Sequence, residues 1–471
     1  MTPPRNTTDR PLAALLAPDI LELLEEAPDS IGPQTEEMHP ADLADVAEAL
    51  PEEMVRAFLA ALPKDRAADV LEYLDEELRT QVFEELTARE AASFVAEMTP
   101  DERADVLEEL DEETADEILS ELTPADKAAT ERLLQYDPYT AGGLMTTEFV
   151  SVDESLEVEE ALRFVRAMAR AGRREAMYTI YTVDLHGRLR GVLSLRELLA
   201  APEGAKISEL AWMDVVSVSP ETPQEEVSQV TSNYDLVALP VVDPQRRLLG
   251  VVTVDDVIDV IQEEQTEDAQ KFGGMEALEE PYMQIGLWQN VRKRGGWLAI
   301  LALSEMMTAG VMARYEGEIG QHAFLAQFIP LVMSSGGNSG SQATSLIIRA
   351  MALGEVSLRD WWQVVLRELP AGLILGTLLG SLAFFRILIW NALGLYPYGV
   401  HSLLIAFTVG CSLIGIVTVG SITGSMLPFL LRRFGFDPAS ASAPFVATLV
   451  DVSGISIYFS VAYLFLSGTL L

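Results

Sequence analysis

Apolar residues dominate five long segments in the last third of the chain. They lie near residues 297–315, 323–348, 370–394, 400–431 and 441–468. A helix needs about 20 mostly apolar residues to cross the hydrocarbon core of a bilayer, where its backbone has no water to bond. A buried globular core supplies one or two such runs rather than five. The pattern therefore predicts a transmembrane domain of five helices over residues 296–471.

A different pattern, with a period of 12 residues, covers residues 38–133. Each unit opens on a large apolar residue: Met38, Leu50, Leu62, Leu74, Leu86, Met98, Leu110 and Leu122. The spacing predicts one helix of about eight residues per unit, and helices this short are stable only when they stack on their neighbours. We therefore expect a small α-superhelix over residues 38–137, after an N-terminal extension of residues 1–37.

Between the repeat and the membrane domain, residues 138–262 alternate strand and helix patterns twice. The predicted strands are residues 179–183 and 191–195 in the first copy and 238–242 and 250–254 in the second. This arrangement resembles a tandem pair of α/β CBS domains. A connecting helix is expected over residues 263–295. The fold class is thus a multidomain membrane protein with an α-superhelix, a CBS pair, a connecting helix and five membrane helices.

Charge separates these parts of the chain. There are 32 Lys and Arg residues against 72 Asp and Glu, a formal net charge of −40. Residues 301–471 contain seven basic and eight acidic residues, so nearly all of the excess lies in the first 300. A part so acidic does not bind nucleic acid through phosphate neutralisation. The single cysteine excludes an intrachain disulfide framework, and the sequence has neither an HExxH zinc motif nor a Walker-type GK[ST].

Basic residues indicate how the apolar segments are oriented. They precede the first segment and lie between the second and third and between the fourth and fifth: Arg292, Lys293, Arg294, Arg349, Arg359, Arg367, Arg432 and Arg433. The other loops carry little positive charge. By the positive-inside rule, the N-terminal domains are cytoplasmic and the C-terminus lies outside.

Two carboxylates fall within the apolar segments. Asp451 lies well inside the last one, where a charge is costly unless it faces partners, water or an ion. It is either a functional residue or a structural acid hydrogen-bonded to Thr448 or Ser453. Glu305 is shallower in the first segment, where it is either functional or close to the membrane interface. The glycine-rich stretch 334–342 either approaches an ion or packs helices together.

Acidic residues also cluster at the end of the second CBS copy and after it. Four of them follow helical steps of three and four residues, at positions 256, 259, 263 and 267. Like charges at these spacings weaken a helix, so either a cation binds them or the segment is a solvated linker. In the same region, Thr253 and Asp256 match the position at which CBS domains hold an adenosine ribose. The pattern makes ATP a candidate modulator.

Three membrane motifs carry a more specific resemblance. Together with the order of the domains, Ser335–Gln342, Met426–Arg433 and Pro444–Gly454 closely resemble the MgtE family of magnesium channels. The resemblance covers nearly the whole chain. It implies a homodimer in a bacterial-type inner membrane, surrounded by lipid and without a nucleic-acid partner, that passes Mg²⁺ into the cell. It implies a transporter and not an enzyme.

The resemblance also implies roles for individual residues. Asp451 would hold hydrated Mg²⁺ in the pore, which suits an ion that dehydrates reluctantly. The pore-lining candidates are Gly336, Gly337, Asn338, Ala447 and Gly454. Intracellular Mg²⁺ would bind further carboxylates and close the pore, and its loss would let them repel one another and open it. These gating ligands are Asp101, Asp105, Glu225, Asp235, Asp256, Asp259, Glu264, Glu267, Asp268 and Asp437.

Four departures from the family pattern leave other functions open. Pro223 stands where a metal-binding acid is familiar, Ala443 and Ser341 replace asparagines, and Glu305 adds an acid to the first segment. One alternative is an ion-coupled exporter or a carrier of Co²⁺ or Ni²⁺. Another is a signalling protein whose membrane segments anchor nucleotide-sensing CBS domains. An intramembrane protease is the weakest, since no second mid-span Asp pairs with Asp451.

Overall fold

A computed structural model describes residues 11–170, 178–278, 282, 285–315, 317, 323–396 and 398–467. By its contacts the chain divides into two compact units, residues 1–264 and 265–471. The first contains the helical repeat and the CBS pair. The second contains the long apolar helices.

The described part of the first unit begins with ten helices. They are α1 Pro11–Glu26, α2 Ile31–Gln34, α3 Pro40–Ala49, α4 Glu52–Ala61, α5 Lys64–Glu72, α6 Glu76–Glu85, α7 Ala88–Val95, α8 Pro100–Glu109, α9 Glu112–Glu121 and α10 Pro124–Leu133. One helix per 12-residue unit is therefore confirmed. Thr87 and Glu90 form a capping box, and Asp75 and Asp111 cap α6 and α9 by accepting backbone N–H bonds. Helices of eight to ten residues persist because their apolar faces share one core, in which Leu43, for example, is fully buried.

The two CBS copies follow as small sheets with short helices. The elements are β1 Val150–Asp153, α11 Val158–Arg170, β2 Thr179–Val183, β3 Leu189–Ser194, α12 Leu195–Ala200, α13 Ile207–Leu210, α14 Gln224–Asn233, β4 Ala238–Val242 and β5 Leu248–Thr253. Strand β2 pairs in parallel with β1 and antiparallel with β3, and β4 pairs antiparallel with β5. The copies are joined by a hydrogen bond of 3.1 Å from the Tyr181 hydroxyl to the Ala238 carbonyl.

Strands β3 and β5 each begin two residues earlier than the sequence pattern predicts. The cause is the geometry of the turns before them. The Asp184 carboxylate accepts N–H bonds from His186 and Arg188, and Asp243 does the same with Gln245 and Arg247. These side-chain bonds close each turn tightly, so the leucine that follows it, Leu189 or Leu248, already belongs to the strand.

The connecting segment differs from the single helix predicted over residues 263–295. Helix α15, Val254–Phe272, begins directly after β5 and ends at Phe272. Residues 287–295 instead form the first turns of α16, Leu287–Arg314. The cationic residues 292–294, which the pattern places before the first span, therefore lie inside a helix, where Arg and Lys are favourable residues.

The second unit continues with α17 Ala323–Ala326, α18 Ile329–Ala352, α19 Trp361–Ala392, α20 Ser402–Arg433 and α21 Ala443–Leu466. Within the described residues, four helical stretches are long and apolar enough to cross a membrane: Leu287–Arg314, Leu358–Ala392, Gly399–Arg433 and Ala443–Leu466. Helix α18 lies where the remaining span was predicted and is long enough. It is more polar, because it contains the stretch 334–342.

Helices α18 and α20 cross at pairs of glycines spaced four residues apart. A Cβ atom on Gly420 would lie 2.6 Å from the carbonyl oxygen of Gly336, and one on Gly424 would collide with that of Gly340. Side chains are absent because the two backbones touch. The small-xxx-small pattern of membrane helix pairs therefore explains these glycines through packing.

The crossing gives a stability prediction. Gly420→Ala should lower the free energy of unfolding of the full-length protein by about 1–3 kcal/mol, because the added methyl group overpacks a rigid backbone contact. Thermal unfolding in detergent measures the change. Gly310→Ala on α16 is the matched control, since no atom lies within 4 Å of its Cβ position. Equal melting temperatures for the two variants would contradict a close backbone contact at Gly420.

Candidate ion path and cation-sensing sites

Asp451 lies eight residues into α21 and is half-buried. The two hydroxyls predicted as its structural partners bond elsewhere. Thr448 donates to the Pro444 carbonyl at 3.0 Å, and Ser453 donates to the Val450 carbonyl at 3.0 Å. Among the described residues, no hydrogen bond to Asp451 is found. The structure therefore shows neither of the two hydrogen bonds that the structural interpretation of this carboxylate requires.

Helix α18 runs beside α21 in the opposite direction. Ser341 donates to the Ala443 carbonyl at 3.2 Å, and a Cβ atom on Gly337 would lie 3.3 Å from that of Ala447. Because the helices are antiparallel, a residue four positions earlier in α18 lies at the level of a residue four positions later in α21. The next step brings residue 333 or 334 to the level of Asp451.

A polar face of α18 borders this contact. Ser334, Asn338 and Ser341 follow helical spacing, and the first two are exposed. Asn338 donates to the Ser334 hydroxyl at 3.4 Å. Exposed hydroxyl and amide groups beside a carboxylate provide oxygen atoms that can bond the water shell of a cation. This polar face together with Asp451 is called the ion path below.

The pore-lining candidates divide into two groups. Asn338 belongs to the ion path, and Ala447 and Gly337 lie in the contact beside it. Gly336 and Gly454 are buried, and both lie against Ile416 of α20. In this chain those two glycines allow close helix packing and do not face an open surface.

In the first unit, Asp101 of α8 and Asp256 of α15 are close enough to act on one another's charge. Asp101 is 6% exposed, and its buried Oδ1 atom has no hydrogen-bond partner. Asp256 accepts a hydrogen bond of 2.5 Å from the Thr253 hydroxyl. Asp105 lies one helical turn beyond Asp101. The repeat and the second CBS copy therefore meet at a carboxylate cluster, comprising Asp101, Asp105 and Asp256.

Burial and mutual repulsion disfavour the charged forms of this carboxylate cluster. Burial, and then the charge of Glu102, raises the pKa of Asp101 to about 6. Burial, and then the charge of Asp101, raises the pKa of Asp105 to about 7 and that of Asp256 well above its usual value. Asp105 keeps exposed surface, so solvent screens it more than Asp101. A bound cation would reduce the electrostatic repulsion among these carboxylates.

No group of three or more Asp, Glu, His or Cys side chains in the described ranges is arranged to hold a metal ion directly. Mg²⁺ is commonly bound through one or two carboxylates and several waters. The unpartnered Oδ1 of Asp101, together with the nearby charge of Asp256, fits that mode of binding. Asp101 and Asp256 therefore provide a pair of carboxylates that can bind a hydrated ion.

Lys271 near the end of α15 was not predicted as a site residue. Its ammonium group donates to Asp437 at 2.6 Å and pairs with Glu267. Burial would lower the pKa of Lys271, but the hydrogen bonds to Asp437 and Glu267 outweigh it and raise the pKa above its ordinary value. Two predicted metal ligands are thus bound to an internal cation.

The other predicted ligands are spread over the CBS pair and α15. Glu225 lies in the first turn of α14 and is exposed, as are Asp235 and Asp259. Glu264 accepts a hydrogen bond of 2.7 Å from Gln224. Asp268 is half-buried on α15. The structure does not bring these five into one cluster.

Comparisons with known proteins decide the family. The family described as "MgtE: Divalent cation transporter" matches residues 329–461, its intracellular N domain matches 38–139, and CBS domains match 141–204 and 207–263. The magnesium transporter MgtE of Thermus thermophilus is 40% identical over 439 residues, which cover 92% of this chain and 94% of that protein. The chain belongs to the MgtE family. It is a multi-pass membrane protein with a soluble N-terminal part.

Other MgtE proteins are also similar. The magnesium transporter MgtE of Bacillus subtilis is 28% identical over 433 residues, covering 92% of this chain and 93% of that one. A crystal structure of the cytosolic domain of the Mg²⁺ channel MgtE in complex with ATP is 39% identical, covers 52% of this chain and 100% of its own, and gives a TM-score of 0.49. The MgtE family consists of transporters.

Proposed function

We propose that this protein conducts Mg²⁺ into the cell through the ion path. The observation that carries the proposal is Asp451, a carboxylate inside a membrane helix whose neighbouring hydroxyls are bound to backbone carbonyls. Because Mg²⁺ keeps its inner water shell, a carboxylate and nearby polar groups can hold it by hydrogen bonds to that water and release it. Membership of the MgtE family supports Mg²⁺ as the conducted ion.

We further propose that cytoplasmic Mg²⁺ closes the path by binding the carboxylate cluster. A hydrated Mg²⁺ between Asp101 and Asp256 cancels the repulsion that raises their pKa values. When Mg²⁺ is scarce, this repulsion favours separation of α8 from the start of α15. Asp256 and Lys271 belong to the same helix, so a displacement at one end of α15 reaches the ammonium group that holds Asp437.

Three further expectations belong to this proposal. The working form is a homodimer with the path on its two-fold axis. ATP modulates closure at Thr253 and Asp256, whose hydroxyl and carboxylate lie 2.5 Å apart at the start of α15. Glu225, Asp235, Asp259, Glu264, Glu267, Asp268 and Asp437 supply further Mg²⁺ contacts once the acidic surfaces rearrange.

Ion uptake tests the proposed conduction. Full-length protein in liposomes, loaded with a Mg²⁺-sensitive dye and little internal Mg²⁺, should take up external Mg²⁺ down its gradient without ATP. Empty liposomes and liposomes with heat-inactivated protein are the controls. Dye signals indistinguishable from these controls would contradict conduction.

The carboxylate cluster gives a pH prediction. Burial raises the pKa of Asp101 to about 6 in the folded state, while an unfolded carboxyl titrates near pH 4. The folded state binds more protons in this range, so without Mg²⁺ its stability falls as the pH rises from about 4 to about 6. Mg²⁺ should therefore raise the melting temperature of the full-length protein more at pH 8 than at pH 5.5.

Differential scanning fluorimetry with Mg²⁺ or with EDTA measures the pH effect. The triple variant Asp101→Asn, Asp105→Asn, Asp256→Asn is the control and should lose most of the difference between the two pH values. A larger stabilisation by Mg²⁺ at pH 5.5 than at pH 8 would contradict the assignment, because protons and Mg²⁺ compete for the same oxygens.

A further inference from the structure

Glu305 lies deeper in its helix than the sequence pattern predicts. Helix α16 begins at Leu287, and Glu305 follows Arg294 by 11 residues and precedes Arg314 by nine. At 1.5 Å per residue these separations are about 16 Å and about 14 Å. The two arginines thus bracket a stretch as long as the hydrocarbon core is thick, with Glu305 near its centre. A carboxylate at that depth needs water, a partner or an ion.

Two aromatic contacts fix how α16 lies against α21. The Trp297 ring, ten residues into α16, lies 6.3 Å from that of Phe445, near the start of α21. Farther along, Tyr315 stacks on Phe459 with ring centroids 4.4 Å apart. Both contacts advance in the same direction along the chain. The two helices therefore run in parallel, side by side, between these contacts.

Glu305 and Asp451 fall at the same level of this helix pair. On the α16 side the two aromatic contacts are 18 residues apart, and Glu305 comes eight residues after the first. On α21 they are 14 residues apart, and Asp451 comes six residues after the first. Each carboxylate is thus a little under halfway. The Glu305 charge is also close enough to act on that of Asp451. The two carboxylates come from different helices but lie at one depth.

A second, independent feature lies beside them. Thr308, one turn after Glu305, is 2% exposed, and its buried Oγ1 atom has no hydrogen-bond partner. Residues 301, 304, 308, 311, 312 and 315 form the more buried face of α16, and Glu305 lies at the edge of that face. Thr308 therefore lies on the buried face of α16, one helical turn from Glu305, with an unpartnered oxygen. Buried hydroxyls normally have a partner, and this oxygen is free of partners among the described residues and can bond a water molecule of a bound cation.

We propose that Glu305 is a second acidic residue of the ion path, sharing a hydrated divalent cation with Asp451, with Thr308 bonding the water shell. This inference rests on the proposed conduction of Mg²⁺. Two carboxylates hold a divalent cation more strongly than one and favour it over a monovalent ion. Glu305 thereby determines how tightly the path holds Mg²⁺ before releasing it.

The test compares Glu305→Gln with the wild-type protein in liposomes at low internal Mg²⁺. Glutamine keeps the size of the side chain and removes its charge. The external Mg²⁺ concentration that gives half-maximal influx should rise about tenfold, and Glu305→Asp should restore part of the loss. Glu355→Gln is the matched control, because it removes an exposed carboxylate from a loop of the same unit. It should leave influx unchanged.

The outcomes separate this inference from the proposed conduction. Suppose that the wild type conducts Mg²⁺ and Asp451→Asn does not. If the half-maximal Mg²⁺ concentration of Glu305→Gln is then within twofold of the wild-type value, the proposed role of Glu305 is wrong while conduction stands. If the wild type does not conduct, the proposed function fails first. Should Glu305→Gln fail to fold, the wild type still provides a test. Millimolar Mg²⁺ should slow labelling of Glu305 by a hydrophobic carbodiimide, measured by mass spectrometry, and a rate that ignores Mg²⁺ would overturn the proposal.

Discussion

Replacing Asp451 by Asn should lower Mg²⁺ influx by about 100-fold or more, which corresponds to about 2.8 kcal/mol. At an effective dielectric constant of about 20, attraction between a divalent cation and one carboxylate about 4 Å away is about 8 kcal/mol, which is larger than this. Asn keeps the shape of the side chain but removes its charge. No hydrogen bond from a described residue depends on Asp451, so the helix packing should survive.

The matched control for Asp451→Asn is Ser453→Ala. Ser453 is two residues away on α21, but its hydroxyl bonds to a carbonyl of its own helix. Influx through this variant should stay within about twofold of the wild type, since such local bonds contribute about 1 kcal/mol or less to stability. Gel filtration in detergent checks that both variants fold alike. Undiminished influx through Asp451→Asn would place the ion path elsewhere.

The double variant Asp101→Asn, Asp256→Asn should abolish most of the dependence of influx on internal Mg²⁺. In the wild type, influx at low internal Mg²⁺ should exceed influx at high internal Mg²⁺ by about tenfold or more, because bound Mg²⁺ favours one of two arrangements of the cluster. Without the two carboxylates, neither the repulsion nor the binding site remains. The ratio of the two influx rates should therefore approach one.

A second double variant controls for the lost charge. Asp75→Asn with Asp111→Asn also removes two carboxylates from the first unit, but these residues cap α6 and α9. Asn is as good an N-cap as Asp, so stability should change little. This control should keep the wild-type ratio. If the Asp101→Asn, Asp256→Asn double variant kept the wild-type ratio of influx at low to influx at high internal Mg²⁺, Mg²⁺ would be sensed elsewhere.

Local sequence patterns predicted much of the fold. The 12-residue period places one helix per unit because each unit contains its own start signal, such as the Thr87 and Glu90 capping box. The long apolar segments predict membrane helices because nothing else buries so many apolar residues in sequence. Helix α18 was also predicted, although its glycines and serines make it more polar than its neighbours.

Interactions between distant residues account for what the sequence did not predict. Lys271 bonds Asp437 across 166 positions of the chain, and no local pattern marks that pair. The depth of Glu305 depends on where α16 begins, and the cationic residues 292–294 made that start difficult to place. The burial of Asp101 depends on the packing of α8. The acidic sequence of α8 resembles that of a solvent-exposed helix and does not indicate this burial.

A single series of influx recordings tests both conduction and closure. Influx of Mg²⁺ into liposomes containing the full-length wild-type protein should be recorded while internal Mg²⁺ is varied at a fixed inward gradient. Influx should be rapid at low internal Mg²⁺ and should fall steeply as internal Mg²⁺ rises into the millimolar range. Absence of influx at all internal concentrations would rule out conduction, and unchanged influx at the highest would rule out closure by Mg²⁺.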